Sequence, residues 1–188
     1  MRSHTRIPVN IRDLLAVSIA VVGLLASAGC GKEEGHRATP PQLPPQLPSK
    51  FDPCKDIPAD VLASLNLVPE GRVIPARTGG PLEQYKGCDY RVQAAAASEQ
   101  GPDVFIQVTN MTIDYFANNY APERQFTRMK IGGREVATAA AADPSSCTLL
   151  IALRDGGVQV GPNVIDRDPC RSLVDVATAV IPHIPQDA

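Results

Sequence analysis

The chain has 188 residues, with 18 basic and 20 acidic side chains and a formal net charge of -2 at pH 7. This balance lacks the basic surplus that nucleic-acid binding or polybasic attachment to an anionic membrane requires, so both classes are excluded. The chain contains five cysteines and no tryptophan, and the lack of tryptophan removes the usual stacking platform of a carbohydrate-cleaving site.

The N-terminus has the pattern of an export signal. Residues 14–30 form an apolar run behind a segment with three arginines, and the run ends in small residues and Cys30. About 16 residues precede this cysteine, fewer than the roughly 20 that a membrane-spanning helix needs. Residues 27–30, Ser-Ala-Gly-Cys, are similar to the lipobox of bacterial lipoproteins, with serine where leucine is usual. We predict a signal peptide over residues 1–29 and a diacylglyceryl group on Cys30, with an ordinary secretory signal as the alternative.

Acylation of Cys30 would hold the mature chain on the outer face of the cell membrane. Residues 1–29 contain three arginines and one aspartate, so 15 basic and 19 acidic side chains remain after cleavage, a net charge of -4. Such a surface adds nothing to attachment to anionic lipid. A diacyl anchor is sufficient without it, since two acyl chains bind a bilayer stably and one binds only marginally.

Residues 30–50 are predicted to form a stalk between the anchor and the domain. The sequence Pro-Gln-Leu-Pro occurs twice in succession over residues 41–48. Proline at this density favours the extended polyproline II conformation, in which about 19 residues reach roughly 60 Å. The Pro-x-x-Pro spacing also fits a peptide ligand of another protein, but composition favours a spacer.

The five cysteines divide into one for the lipid and four for the domain. With Cys30 acylated, the others are Cys54, Cys88, Cys147 and Cys170. Outside the cytoplasm, four cysteines indicate two disulfides, for which three pairings exist. We favour Cys54 with Cys88 and Cys147 with Cys170, because each pair joins neighbouring segments of the chain. Zinc is disfavoured because no Cys-x-x-Cys motif occurs.

Residues 51–188 have the composition of one globular domain, with a helix near each of its ends. Asp-Pro-Cys occurs at residues 52–54 and again at 168–170. Aspartate suits a helix N-cap and proline the first helical position, so both cysteines are expected in the first turn of a short helix. The first helical pattern covers residues 58–66. The second places apolar residues on one face until Pro182 ends it.

Six segments between these helices have the composition of strands. They cover residues 72–76, 88–95, 104–111, 135–140, 147–154 and 157–161. Asp155-Gly156 lies between the last two and predicts a hairpin with a primed turn. The expected fold class is therefore α+β: a two-layer domain with a mostly antiparallel sheet of five or six strands, flanked by N- and C-terminal helices and closed by two disulfides.

Half of the eight aromatic residues lie within residues 115–126. They are Tyr115, Phe116, Tyr120 and Phe126. One interpretation is a lid over an apolar ligand, which makes these four the candidate ligand-binding residues. The other, which we favour, is a crossover segment that packs its own hydrophobic cluster.

The sequence contains no motif for catalysis or metal binding, and we predict neither an enzyme nor a cofactor. The domain has one histidine, His183, so near the C-terminus that a catalytic imidazole would lack support. Asp52, Asp56 and Asp60 recur every four residues, but prolines interrupt that helix and no EF-hand spacing is present. The three Gly-Gly pairs fit turns, and none continues into a phosphate-binding loop.

Several of these motifs together resemble one family, the uncharacterised actinobacterial lipoproteins built on a single domain of unknown function. The resemblance rests on the lipobox, the stalk, both Asp-Pro-Cys sequences, Cys-Asp-Tyr at 88–90, Gly-Gly-Arg-Glu-Val at 132–136 and Cys-Thr-Leu-Leu-Ile at 147–151. It spans residues 51–181 and implies that the four domain cysteines are structural. Asp89-Tyr90 departs from it, since a tryptophan often follows that cysteine in the family. The resemblance transfers no catalytic residue.

The sequence therefore predicts a lipid-anchored envelope protein on the outer face of the cell membrane, attached through Cys30. The role that we favour is a non-catalytic binding module for an envelope lipid, a glycan or a small ligand. The alternative is an accessory subunit that binds another envelope protein. A nucleic-acid partner is not expected.

Overall fold

A computed structural model describes residues 41–80, 82–93, 103–142, 146–162 and 168–188. All of them belong to one structural unit, which covers Ala38–Ala188. The predicted signal peptide and Cys30 lie outside these residues, so both assignments stay predictions. Within the described ranges, no helix is long and apolar enough to cross a membrane.

The domain is built on an antiparallel sheet of seven strands in the order β1-β2-β3-β7-β6-β5-β4. The strands are β1 (Arg72–Thr78), β2 (Gln84–Arg91), β3 (Asp103–Thr109), β4 (Gln125–Ile131), β5 (Arg134–Ala140), β6 (Cys147–Leu153) and β7 (Gly156–Pro162). The predicted antiparallel sheet is confirmed, but five or six strands was too few. The additional strand is β4, at an edge of the sheet, where exposed polar and charged residues interrupt the apolar pattern.

Among the described residues, three α-helices accompany the sheet: α1 (Ala59–Ser64), α2 (Ile113–Tyr120) and α3 (Pro169–Val180). α3 begins as predicted, because the Asp168 side chain accepts a hydrogen bond from the Arg171 N–H at 3.1 Å and proline follows the cap. Cys54, in contrast, is not helical. The Asp52 side chain accepts from the Cys54 N–H at 3.1 Å and closes a local turn, so α1 begins only at Ala59.

α2 was not predicted, since residues 115–126 were interpreted as a lid or a crossover segment. The helix is nevertheless capped, since the Thr112 hydroxyl oxygen accepts from the Tyr115 N–H at 3.2 Å. α2 packs on β5 and β6, as α3 does, but on the opposite face of the sheet. The domain is thus mostly β with helices on both faces, and the two-layer prediction was wrong.

Each face of the sheet has its own hydrophobic core. In β6, Leu149 and Ile151 belong to the core on the α3 side, whereas Leu150 belongs to the core on the α2 side, as the alternation of a strand requires. The α3 side is the larger core, and α3 contributes the buried Leu173 and Val180 to it. Each such side chain stabilises the fold by about 1.5–3 kcal/mol.

Two disulfides join other segments to the sheet, one from the turn that precedes α1 and one from α3. Cys54 is bonded to Cys88 of β2, and Cys147 of β6 is bonded to Cys170 of α3, which is the pairing that chain proximity favoured. The bonds close segments of 34 and 23 residues, worth about 3 to 4 kcal/mol each in the chain-entropy treatment. No cysteine within the described ranges keeps a free thiol.

In the described ranges, three hairpin connections lie at one end of the sheet, which we call the hairpin end: they include residues 79–80 with 82–83, residues 132–133 and residues 154–155. Both glycines of the second turn have positive φ, 56° and 86°, as a primed two-residue turn requires. The third turn differs from the prediction. Leu153 pairs with Gly156, so the loop is shifted by one residue, and neither loop residue has positive φ.

Gly156 follows this loop with a φ of 145°. A Cβ at this position would overlap the Thr109 carbonyl oxygen and lie 3.0 Å from Pro48 Cγ. Glycine therefore allows three segments of the chain to meet at the hairpin end.

Residues 43–50, which we call the strap, cross the hairpin end from one face of the sheet to the other. Leu43 packs on the α2-side core, while Phe51, directly after the strap, is buried in the α3-side core. Lys50 near its end forms an exposed ion pair with Asp187. The last part of the predicted stalk thus lies on the domain.

Two side-chain amides hold the strap through its backbone. Asn110 Nδ2 donates to the Pro44 carbonyl at 2.8 Å, and Gln84 Nε2 donates to the Pro45 carbonyl at 3.2 Å. Proline has no N–H of its own, so Pro44 and Pro45 can be hydrogen-bonded only through their carbonyl groups. The strap is bound in this way.

Candidate functional site

The four aromatic residues identified from the sequence lie together on the α2 side of the sheet. Phe116 is fully buried, and its ring centroid lies 4.7 Å from that of Tyr120 and 5.9 Å from that of Phe126. Tyr115 packs against the same cluster, with the sheet residue Leu150 beneath it. The four residues form a local hydrophobic core, the second of the two interpretations, and ligand binding by them stays a prediction.

Beside this cluster the sheet carries two buried glutamines. Gln159 of β7 and Gln107 of β3 are direct neighbours in register, between Leu150 on one side and Gly87 on the other. Leu150 belongs to the α2-side core, so both glutamine side chains lie on that face. Gln159 is 7% exposed and Gln107 is 2% exposed. The two glutamine side chains thus lie next to the apolar surface under α2, on the same face of the sheet.

The two glutamines differ in their hydrogen bonding. Gln107 Oε1 accepts from Arg77 Nη2 at 3.3 Å. Gln159 Oε1 is fully buried and has no hydrogen-bond partner among the residues that the structure describes. An unpaired buried carbonyl costs about 1–3 kcal/mol. A bound molecule that donates to Gln159 would recover this free energy.

Two phenols next to the glutamine pair converge on one carboxylate. Tyr85 OH donates to Glu83 Oε2 at 2.5 Å, and Tyr115 OH donates to Glu83 Oε1 at 3.1 Å. Arg77 Cζ lies 5.2 Å from the centroid of the Tyr85 ring, within cation–π distance. Through Arg77, the phenols are connected to Gln107.

Burial raises the pKa of these tyrosines. For Tyr85 the main cause is loss of water, followed by the hydrogen bond to Glu83 and the charge of that carboxylate. The pKa values of Tyr115 and Tyr120 are also raised, mainly by burial and next by the Glu83 charge. All three phenols are therefore protonated at neutral pH, which disfavours a role as base or nucleophile; those of Tyr85 and Tyr115 donate to Glu83.

Arg124 carries a second unsatisfied group on this face. Its Cζ lies 5.4 Å from the centroid of the Tyr120 ring, and its Nη1 is buried without a partner in the described part of the chain. Tyr120 in turn is close enough to Tyr85 to contribute to the raised pKa of that phenol. These contacts define one connected set, which we call the α2-side site: Arg77, Tyr85, Gln107, Tyr120, Arg124 and Gln159.

The α2-side site has the components of a small-molecule site. It offers a buried carbonyl acceptor, a guanidinium donor and aromatic surfaces that limit contact with water. A metal site is a poorer interpretation, because the described residues contain no group of three potential metal-binding side chains. His183 is in a 3-10 turn after α3, and its neighbour Ile181 packs in the core on the other face of the sheet.

A separate cleft lies at the hairpin end. It has a volume of about 380 Å³ and lies between the strap and the turn at residues 154–155. Its walls are prolines and charged side chains such as Lys50 and Arg154, both exposed. It contains none of the buried unpaired atoms of the α2-side site, so the α2-side site is the stronger candidate.

The two glutamines were missed in the sequence, although a signal was present. Each one is a single amide between β-branched residues: Ile106-Gln107-Val108 in β3 and Val158-Gln159-Val160 in β7. All four of those apolar neighbours are buried. A strand that buries both faces has no solvent side for a polar residue, so a glutamine there needs a partner.

Comparison with known proteins gives one match. The family model described as "Protein of unknown function (DUF3558)" matches residues 25–183, a range that includes Cys30, all four bonded cysteines and every residue of the α2-side site. Neither the curated proteins nor the solved structures contain a match. The chain thus belongs to the family of proteins of unknown function DUF3558.

Proposed function

We propose that this protein is an envelope lipoprotein of an actinobacterium, held on the outer face of the cell membrane by acylated Cys30. The apolar segment and lipobox-like sequence at residues 14–30 support export. The two disulfides support it independently, because such bonds persist in oxidising compartments and are rare in the cytosol.

We further propose that the domain is a non-catalytic binding module whose ligand occupies the α2-side site. One observation carries this proposal: Gln159 Oε1 is buried and unpaired among the described residues. Natural proteins satisfy nearly all buried carbonyl groups, and an unsatisfied one has an ordered water or a bound molecule as its usual partner. The ligand would donate an O–H or N–H to this oxygen.

The surroundings of Gln159 favour an amphipathic envelope molecule. The aromatic cluster under α2 is apolar, while Arg124 Nη1 offers an unpaired donor for an acceptor or an anion. A lipid with a hydroxylated headgroup, a glycan or a small polar metabolite has this combination of groups. The protonated phenols and bonded cysteines supply no base or thiolate, which favours binding over catalysis.

The test combines native mass spectrometry with a substitution that should stabilise the protein. Gln159→Leu removes the unpaired carbonyl, so we expect a higher midpoint of thermal unfolding for the ligand-free protein. We also expect loss of a non-covalent mass that accompanies the wild-type chain after gentle extraction from membranes. Gln125→Leu is the matched control, because Gln125 is exposed on the edge strand β4.

Three outcomes would contradict these proposals. A wild-type protein without any bound mass, or a Gln159→Leu variant that keeps the same mass as the wild type, would refute the binding site. An unchanged acyl mass in Cys30→Ala protein would refute the anchor, and leave the binding site to be judged on the other two results.

A further inference from the structure

The strap determines where the tether leaves the domain. Its first residue, Leu43, packs on the α2-side core, and only residues 31–42 separate it from Cys30. A polyproline II chain of that length spans about 37 Å at 3.1 Å per residue. If Cys30 carries the lipid, the tether therefore limits the distance between the bilayer and the hairpin end more than the distance to any other part of the domain.

One buried side chain fixes both the strap and the turn between β1 and β2. Asn110 is 1% exposed. Its Nδ2 donates to the Pro44 carbonyl at 2.8 Å and to the Leu82 carbonyl at 3.0 Å, while its Oδ1 accepts from the Gln84 N–H at 2.9 Å. Leu82 is consequently held beside the point where the tether leaves the domain.

Leu82 has an unusual conformation and an unusual exposure. Its φ is 78°, in the left-handed region, which costs a residue with a side chain about 1–2 kcal/mol. Its side chain is 76% exposed, so no packing within the domain repays this cost. Strained backbone that persists is characteristic of functional positions, where the surrounding contacts enforce it.

We infer that Leu82 is a membrane-contact residue, which enters the interface of the bilayer that holds the acylated Cys30. The inference rests on the proposed function only for the acylation of Cys30. The partner surface is lipid rather than protein, because the hydrogen bonds of Asn110 hold Leu82 beside Pro44, near the point where the segment that leads to Cys30 joins the domain.

The energetics of this contact depend on the tether. Burial of one leucine side chain contributes about 1.5–3 kcal/mol, which is too little to hold a free protein on a membrane. Because the tether already holds the domain at the membrane, insertion of Leu82 is intramolecular and the effective concentration of this side chain at the bilayer is high. The free energy of burying one leucine is then enough to favour one orientation of the domain. The domain then stands with its hairpin end on the lipid, and its sheet extends away from the surface.

Val73 provides an internal comparison. It is the second large apolar residue that the described part of the chain leaves exposed, at 68%. Its φ is not positive, and it lies near the start of β1, five residues before Thr78 at the hairpin end. That separation is about 16 Å along a strand. Scattered exposed apolar residues are ordinary, so Val73 represents the behaviour expected without a membrane role.

The absence of tryptophan from the chain makes the test direct. Leu82→Trp and Val73→Trp each introduce a single tryptophan at an exposed site of the full acylated chain. Each variant is reconstituted into phosphatidylcholine–phosphatidylglycerol vesicles, with and without lipids brominated on their acyl chains. We expect the Leu82→Trp variant to shift its emission to shorter wavelength and to lose intensity with brominated lipid, and the Val73→Trp variant to do neither.

A strap variant tests the cause of this difference. Leu43→Ser removes the apolar contact that anchors the start of the strap, and in the Leu82→Trp background it should reduce the quenching to the level of the Val73→Trp variant. Equal quenching at both positions, or none at Leu82→Trp, would overturn the inference. Vesicle flotation separates the two proposals: a chain that does not float contradicts the lipid anchor, and a chain that floats without quenching contradicts only the membrane contact.

Discussion

Gly156 and Gly133 show how a single residue can carry a structural requirement that composition does not reveal. Both have positive φ, but a Cβ on Gly156 would overlap the Thr109 carbonyl oxygen, whereas a Cβ on Gly133 would meet no atom within 4 Å. A substitution at Gly133 therefore measures the strain of a positive φ alone, whereas one at Gly156 measures that strain together with a steric overlap.

We predict that Gly156→Ala destabilises the domain by roughly 2–5 kcal/mol, from backbone strain together with overlap at the hairpin end. Gly133→Ala carries only the strain and should cost about 1–2 kcal/mol. Urea denaturation of the two variants and the wild type measures both values. Equal losses for the two substitutions would show that the close approach of Pro48 and β3 to Gly156 is not needed.

At the level of elements, the strap belongs to the predicted stalk in sequence but is part of the domain in the structure. It supplies the acceptors for two side-chain amides, Asn110 and Gln84, and covers an edge of the α2-side core with Leu43. The ion pair of Lys50 with Asp187 adds little, since both side chains are more than half exposed.

A chain that begins at Phe51 should consequently be less stable than one that begins at Pro41. The expected loss is about 2–4 kcal/mol, because the apolar contact of Leu43 disappears and the amide of the buried Asn110 loses one of its acceptors. The midpoints of urea denaturation give the comparison. Coincident midpoints would mean that the strap lies on the domain without stabilising it.

The whole molecule is expected to lose stability at alkaline pH because of its tyrosines. Burial raises the pKa of Tyr90 to about 12, and its phenol donates to the Pro53 carbonyl at 2.5 Å; the pKa of Tyr85 is raised as well. An unfolded phenol releases its proton near pH 10. The folded state therefore binds more protons above pH 10, and the free energy of unfolding falls as the pH rises.

For Tyr90 this loss occupies the window from about pH 10 to about pH 12 and amounts to at most about 1.4 kcal/mol per pH unit. Urea denaturation at several alkaline pH values measures the slope. Lysines titrate in the same range, so Tyr90→Phe is the required control: it should be less stable at neutral pH but lose less between pH 10 and 12. Parallel pH profiles for wild type and variant would contradict the assignment to Tyr90.

The sequence allowed the sheet to be predicted better than its surroundings. Strands with continuous apolar composition, such as β3 and β6, were recognised, because burial on both faces leaves a clear pattern. The aspartate and proline that start α3 are local signals of the same kind. β4 and α2 were missed, because an edge strand needs few apolar residues and a short helix is stabilised by packing that only the fold supplies.

The α2-side site was the least predictable part of the molecule. Tyr120 was identified through the local density of aromatic residues, but Gln107 and Gln159 are 52 residues apart in sequence and meet only through the pairing of β3 with β7. Whether a glutamine finds a hydrogen-bond partner depends on side chains from α2 and β1 as well. Such a site follows from topology, which local patterns do not encode.

The contact between the strap and the C-terminus has a practical consequence for handling the protein. Lys50 Nζ donates to the Asp187 carbonyl at 3.2 Å, and Arg134 Nη1 donates to the Ala188 carbonyl at 3.3 Å, so the last residue of the strap and the start of β5 both hold the C-terminal residues. An affinity tag fused after Ala188 would start beside Lys50 and Arg134 and compete with their hydrogen bonds to the C-terminal carbonyl groups.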